Sequence, residues 1–333
     1  MIDYKISNGR QRITGVGSAL VDILAREDDA FLQRVGALKG GMTYVDKSFI
    51  DDTLAMTSSP ARVVPGGSAC NTVVGVGRLG GQASFVGKCG NGSMGRLLCE
   101  DLEKQGVRAT LFRSDAPTGR VLSIITPDAQ RSMFTYLGAS AETAPHEITA
   151  QCFEDAAIVH IEGYLLFNRD LMIATLKAAR AAGALISLDL ASFNVVAESR
   201  DILPMLVEQY VDILLANEDE AEAYTGTKDP ARAIRDLAKD VDLAVLKRGA
   251  AGSLIAQGDD VLHVAANGNG GAVVDTTGAG DLYAAGFLYG LVRRMPLAQC
   301  GAMGSVCGYE VCQVIGASIP DARWRAIQSL MEA

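Results

Sequence analysis

Short apolar runs alternate with helix-patterned stretches along most of the chain, and this alternation restricts the fold more than any other feature. Residues 13–17, 83–87, 158–161, 185–189, 213–216 and 243–247 are each short and apolar enough to be strands buried on both faces. Between them, residues 169–182, 218–224 and 230–239 carry helical spacing. Gly183 stands where a glycine past a helix C-terminus is expected. This β-α order predicts a mostly parallel sheet covered by helices on both sides. Two stretches, about 20–65 and 108–140, break the rhythm. They are Thr/Val/Ile/Tyr-rich with polar interruptions, a β signal. Within the second, VLSIITPDAQRSMFTYLG reads as a hairpin turning at Pro127-Asp128-Ala129-Gln130. A small β element inserted into an α/β core is placed to act as a lid over a site at the sheet edge. All 333 residues are expected to form one such unit.

Charge and cysteine usage narrow the function classes. A net charge of −9 argues against a nucleic-acid binder, which needs a basic face, but leaves room for a small anion held locally at a helix start. Seven scattered cysteines, never in a C-x-x-C pair, fit thiols in a reducing compartment rather than disulfides or a zinc site. His146, His160 and His263 share no ligand-like spacing. The N-terminal residues lack a secretory pattern, and no apolar run approaches the ~20 residues of a membrane span. The expectation is a cytoplasmic protein with no membrane partner.

The sharpest local feature is Asp275-Thr276-Thr277-Gly278-Ala279-Gly280-Asp281, followed by an apolar stretch at helical spacing. Glycines at such a loop-to-helix junction let backbone N–H groups face a ligand, and the helix dipole favours an anion there. Asp281 then stands beside a bound phosphate, where a carboxylate can accept a proton from an attacking hydroxyl. An isolated G-x-G-D would read better as a tight turn starting a helix. The full string, however, resembles the D-T-x-G-A-G-D signature of the ribokinase (PfkB-type carbohydrate and nucleoside kinase) family.

The resemblance runs from about residue 13 to 320. Pro65-Gly66-Gly67-Ser68-Ala69-Cys70-Asn71 is similar to the family's glycine pair and sugar-contacting asparagine. Asn217-Glu218-Asp219-Glu220 matches its N-x-x-E motif, and Asp22 falls where relatives bind sugar hydroxyls. It implies a ribokinase-like α/β fold with a small β-sheet lid, and an ATP- and magnesium-dependent kinase. Asp281 would be the base, and Gly278, Ala279 and Gly280 the anion hole. Ser18, Asp22, Gly66, Gly67 and Asn71 would meet the substrate. Asn217, Lys247, Gly249 and Thr276 would line the nucleotide, Glu220 would reach magnesium through water, and Asp275 would stand near a K⁺ ion. Each has a plainer reading: Asn217 with Glu220 is also a capping box, Gly66-Gly67 an ordinary turn, and Asp22 a solvated loop charge.

Within the family, the opening GVGSALVDI, the lid segment with Arg131, and Glu162-Gly163-Tyr164-Leu165 resemble the adenosine kinase and bacterial nucleoside kinase branch. Tyr164 or Phe167 would stack on a purine, with Leu166, Arg131 and Met133 as further pocket candidates. Gly92 stands where relatives commonly carry an aspartate, which loosens the analogy around the substrate. A free-sugar kinase and a catalytically silent nucleoside binder are the alternatives, and the chain is expected to be a monomer or homodimer. Gly75-Val76-Gly77-Arg78-Leu79-Gly80 matches G-x-G-x-x-G, but it follows a helix-like stretch and precedes a strand, the reverse of a dinucleotide site.

Overall fold

The computed structural model describes residues 9–37, 39–58, 60–128, 130–268 and 273–332. The elements run β1 (Arg12–Val16), β2 (Leu20–Arg26), α1 (Asp29–Arg34), β3 (Met42–Tyr44), α2 (Lys47–Ala55), β4 (Arg62–Gly66), α3 (Ser68–Arg78), β5 (Ala83–Gly90) and α4 (Ser93–Lys104). Next come β6 (Val107–Ser114), β7 (Thr118–Ile125), β8 (Arg131–Gly138), β9 (Ala156–Glu162), α5 (Arg169–Ala181), β10 (Leu185–Asp189), α6 (Phe193–Glu198), α7 (Leu203–Tyr210) and β11 (Ile213–Asn217). The chain closes with α8 (Glu218–Thr225), α9 (Pro230–Leu237), β12 (Leu243–Lys247), β13 (Ser253–Gln257), β14 (Asp260–Val264), α10 (Ala279–Val292), α11 (Leu297–Val311) and α12 (Asp321–Glu332).

Among the described residues, nine strands form one sheet in the order β14-β13-β12-β11-β10-β9-β1-β5-β6. It is parallel from β6 through β12, and only β13 and β14 run antiparallel. The six apolar runs are all in this sheet, as their two-sided burial requires. Side chains of α3, α10, α11 and α12 form the core on one face, including Val73, Phe287, Cys307 and Trp324. Those of α5 to α9 form the other, including Met172, Val195, Leu206 and Ile234. Strand order reverses at β1, between β9 and β5, and such a switch point opens a crevice at the carboxyl ends of the strands.

A second sheet, β3-β8-β7-β2-β4, has the character of a lid. Its side chains alternate with period two. Ile23, Leu122, Ile124 and Phe134 face a small core with Phe31 and Ile50 of α1 and α2. Asp22, Val121, Ser123 and Met133 face the crevice. The β7–β8 hairpin forms as expected, with Thr126 N–H donating to Gln130 O at 3.0 Å; Ala129 of its turn lies outside the described residues. Two features differ from expectation. The 20–65 segment contains α1 and α2, helices of six and nine residues too short to impose a visible period. The 108–140 segment begins with β6, which pairs with β5 in the large sheet, so the small sheet takes only Thr118–Gly138 from it. None of the seven cysteines forms a disulfide, and no described helix is long and apolar enough to cross a membrane.

Helix α10 is buried from Leu282 to Val292, and glycines set how closely its neighbours approach. A Cβ on Gly286 would lie 2.6 Å from Met303 O of α11. Helix propensity alone favours Gly286→Ala by ~1 kcal/mol, but overpacking against that backbone costs ~1–3 kcal/mol. Gly286→Ala is therefore expected to lower the urea midpoint; a raised midpoint would show that the helices part freely.

Candidate active site

The crevice is a continuous cavity of about 890 Å³ with walls from both sheets. One part is bounded by the small sheet, the loop after β1 and the start of α3; the other by the ends of β11 and β12, residues 266–268 and the glycine loop before α10. The first has Met42, Tyr44, Met133 and Leu137 as an apolar wall beside Asp22, Asn71 and Arg131. The second combines the glycine loop with the polar side chains of Asn217, Glu220 and Lys247.

Asp281 stands where the two parts meet. It lies in the first turn of α10, and its carboxylate accepts from Ser68 Oγ at 2.8 Å and Asn71 Nδ2 at 2.9 Å, both on α3. Burial raises its pKa, opposed by those two hydrogen bonds. The preceding Gly278 has φ +75°, a left-handed conformation natural to glycine, and Leu282 N–H closes the first turn on Gly278 O at 2.8 Å. The amides of Gly280 and Asp281 are thus among the helix-start donors that lack a partner within the helix. Ala279 differs: its N–H donates to Thr276 O at 3.1 Å.

Ser18, Asp22, Gly67, Asn71, Arg131, Tyr164, Asn217, Glu220, Lys247, Gly249 and Thr276 join Gly278 to Asp281 in lining this cavity. Asn217 and Glu220 are also a capping box: Glu220 N–H donates to Asn217 Oδ1 at 2.8 Å, and Glu220 Oε2 accepts Asn217 N–H at 2.8 Å. The capping-box reading of that motif therefore holds, and the same two residues line the cavity. Gly66 and Asp275 lie outside the cavity walls. Gly66 packs against the Asp22 carboxylate, leaving no room for a Cβ. Asp275 is fully buried beneath the loop, accepting from Thr277 N, Thr277 Oγ1 and Gly316 N at 2.9, 2.6 and 2.8 Å. These bonds already account for its position as a loop brace. Tyr164 donates to Ala191 O at 3.4 Å, while Phe167 and Leu166 do not line the cavity; Phe167 packs edge-on against Tyr44. The turn containing Gly92 is also outside the cavity walls.

Sequence reading gave no role to Ser68, Glu162 or Asp189. Glu162, at the end of β9, accepts from Ser18 N at 2.8 Å and Ala69 N at 3.0 Å, tying the β1 loop to the start of α3. Asp189, at the end of β10, accepts from Lys247 Nζ at 2.6 Å. Each partner lies far away in sequence. For Glu162 and Asp189 the only local signal was a carboxylate ending an apolar strand.

Residues 42–324 match the model of the pfkB family carbohydrate kinases. The chain belongs to that family. It is accordingly an ATP-dependent kinase with a hydroxyl acceptor. It is 30% identical to the aminoimidazole riboside kinase of Salmonella typhimurium, over 76% of this chain and 83% of that protein. It is 29% identical to the fructokinase of Escherichia coli, over 72% and 85%. Among solved structures it resembles an adenosine kinase from Sinorhizobium meliloti, with TM-score 0.89, 34% identity, and 96% and 100% of the two chains covered. A probable sugar kinase from Rhizobium etli gives TM-score 0.90, 32% identity, and 97% and 99% coverage.

Burial raises the pKa of Asp22 to about 7, against the opposing pull of Arg131, and that of Glu162 to about 7, against its two backbone donors. Unfolded carboxyls titrate near ~4, so between about pH 4.5 and 7 each of these two groups is more protonated in the folded protein than in the unfolded chain. Each such group lowers stability as pH rises through that window, by up to about 1.4 kcal/mol per pH unit. The ligand-free protein should therefore lose melting temperature from about pH 5 to 7. Asp22→Asn should flatten the decline in calorimetric scans; an unchanged slope would show that Asp22 titrates normally.

Proposed function

We propose that this kinase transfers the γ-phosphate of ATP to the 5′-hydroxymethyl group of a nucleoside, with adenosine or a related purine nucleoside favoured. The carrying observation is Asp281: bound to α3 on the substrate side, it also begins the helix whose first amides face the phosphate side. The apolar wall of Met42, Tyr44, Met133 and Leu137, with Tyr164 nearby, suits a flat base better than a free sugar, which carries hydroxyls all round. Similarity to the Sinorhizobium meliloti adenosine kinase over nearly the whole chain supports the same reading.

In this reading, Asp22, Gly67 and Asn71 hold the sugar hydroxyls, with Ser18 at the mouth of the same loop. Asp281 takes the proton of the attacking hydroxyl as its oxygen forms the new bond to phosphorus and the bond to the ADP oxygen breaks. The glycine loop supplies amides for the charge on the transferred group, and Arg131 approaches it from the small sheet. Thr276, Gly249 and Asn217 border the nucleotide. Magnesium would neutralise phosphate charge. No three His, Cys, Asp or Glu side chains among the described residues converge on one point, and both Glu220 oxygens already accept from Asn217. That set fits an ion held by phosphate oxygens and water, with Glu220 at one remove. Closure of the small sheet would exclude water and so limit ATP hydrolysis.

The free-sugar reading is supported by similarity to the Escherichia coli fructokinase. ADP release from MgATP across nucleosides and free sugars separates the two: nucleosides should turn over, and activity with sugars alone would refute the base-binding wall. Asp281→Asn should lower kcat by ~10³-fold while nucleoside binding changes by less than about threefold. Retained turnover would remove Asp281 as the base, and binding without turnover in the unaltered protein would favour a silent binder.

A further inference from the structure

We propose that Lys247 is the cation that meets the terminal phosphate of the nucleotide, and that Asp189 is the residue that positions it. The inference rests on the kinase reading for its chemical meaning and for the kcat readout at Asp189, but not for the binding test of Lys247.

The side chains come from the last residues of two strands in one parallel run. Asp189 ends β10 and Lys247 ends β12, so their contact reaches across the intervening end of β11. Their ion pair is 2.6 Å long, with side-chain exposures of 12% for Lys247 and 7% for Asp189. The other Asp189 oxygen accepts Ala191 N–H at 3.0 Å, where the backbone turns through φ +64°. The carboxylate is thus anchored to main chain and cannot follow the lysine. On the other side, Lys247 Nζ would lie 3.1 Å from a Cβ on Gly280. The ammonium therefore borders the glycine loop itself, beside the helix-start amides.

Structural economy does not explain this arrangement. A buried ion pair seldom stabilises a fold more than apolar residues of the same size, because desolvation offsets the attraction. A pair at the mouth of an anion site has another use. An arriving phosphate supplies the ammonium with a second anionic partner, while Asp189 still limits where the flexible lysine chain can go. Arg248, which also lines the cavity, instead pairs through its Nε with Glu218 at 3.3 Å.

Calorimetric titration with β,γ-methylene ATP and with ADP tests the assignment without requiring turnover. Lys247→Met should weaken the ATP analogue by ~10–100-fold, the range expected for one charge-assisted hydrogen bond, and ADP by less than about threefold. Lys247→Arg should recover part of the loss. Asp189→Asn should lower kcat by ~10-fold with the nucleoside KM unchanged. Lys247→Met combined with Asp189→Asn should resemble Lys247→Met alone, since Asp189 acts through the lysine. This double variant also removes the Asp189 charge that Lys247→Met alone would leave buried without its cation, so it guards against a folding failure of the single variant. Equal losses for the analogue and ADP would overturn the phosphate contact; a further loss beyond about threefold in the double variant would overturn the positioning role. An unaltered protein that binds the analogue but never turns over would leave the inference standing and remove the proposed function. Failure to bind either nucleotide would remove both.

Discussion

The close approach of α3 and α10 governs the site. Gly75 faces Ala285 so tightly that a Cβ on the glycine would lie 2.6 Å from the alanine methyl. At that separation the N-terminal ends of the two helices bring Ser68 and Asn71 within hydrogen-bond distance of Asp281. On its other side, α10 presses against α11, where a Cβ on Gly304 would lie 2.8 Å from Tyr283 O. A helix held this way in a close-packed interior cannot shift by much without opening voids. The carboxylate at its start is consequently set by core packing before any ligand arrives.

The same packing determines the electrostatics. Asp22, Glu162, Asp189, Glu220 and Asp281 all reach the cavity, and the cations lining it include Lys247, Arg131 and Arg248. Burial penalises the charged form of several of these acids, which raises the pKa of Asp22, Glu162 and Asp281. Lys247 shows the opposite balance. Burial alone would lower its pKa, but the nearby carboxylates of Asp189, Glu220 and Asp281 more than offset it and keep the ammonium charged. Near neutrality the empty cavity is therefore less anionic than its residue count suggests. That reduces the repulsion a nucleotide must overcome.

Local pattern carried much of the architecture. An apolar run buried on both faces can be little else in an α/β chain, so the strands from β9 to β12 were legible, as was the loop-to-helix junction at Asp281. The short lid helices were not. Phe31, Leu32 and Ile50 make their amphipathic character clear only against the small sheet. The membership of β6 depended on its pairing with β5. Ser68, Glu162 and Asp189 escaped for a related reason: their partners Asp281, Ser18 and Lys247 lie 213, 144 and 58 residues away. A carboxylate at a strand end signals a site in general terms; which donor it meets is a property of the assembled sheet.

The two parts of the cavity answer to different constraints. The side proposed for phosphate is made of strand ends and a helix start, positions that the fold cannot vary without moving its own core. The side proposed for the acceptor borrows one face of the small sheet, whose opposite face carries the packing with α1 and α2. Side chains such as Met42 and Met133 are directed by alternation away from that core and toward the crevice. One phosphoryl-transfer apparatus can thus serve acceptors as different as those in the names fructokinase and aminoimidazole riboside kinase. Acceptor choice would follow from a few crevice-facing residues on four strands, with Asp281 and its helix unchanged.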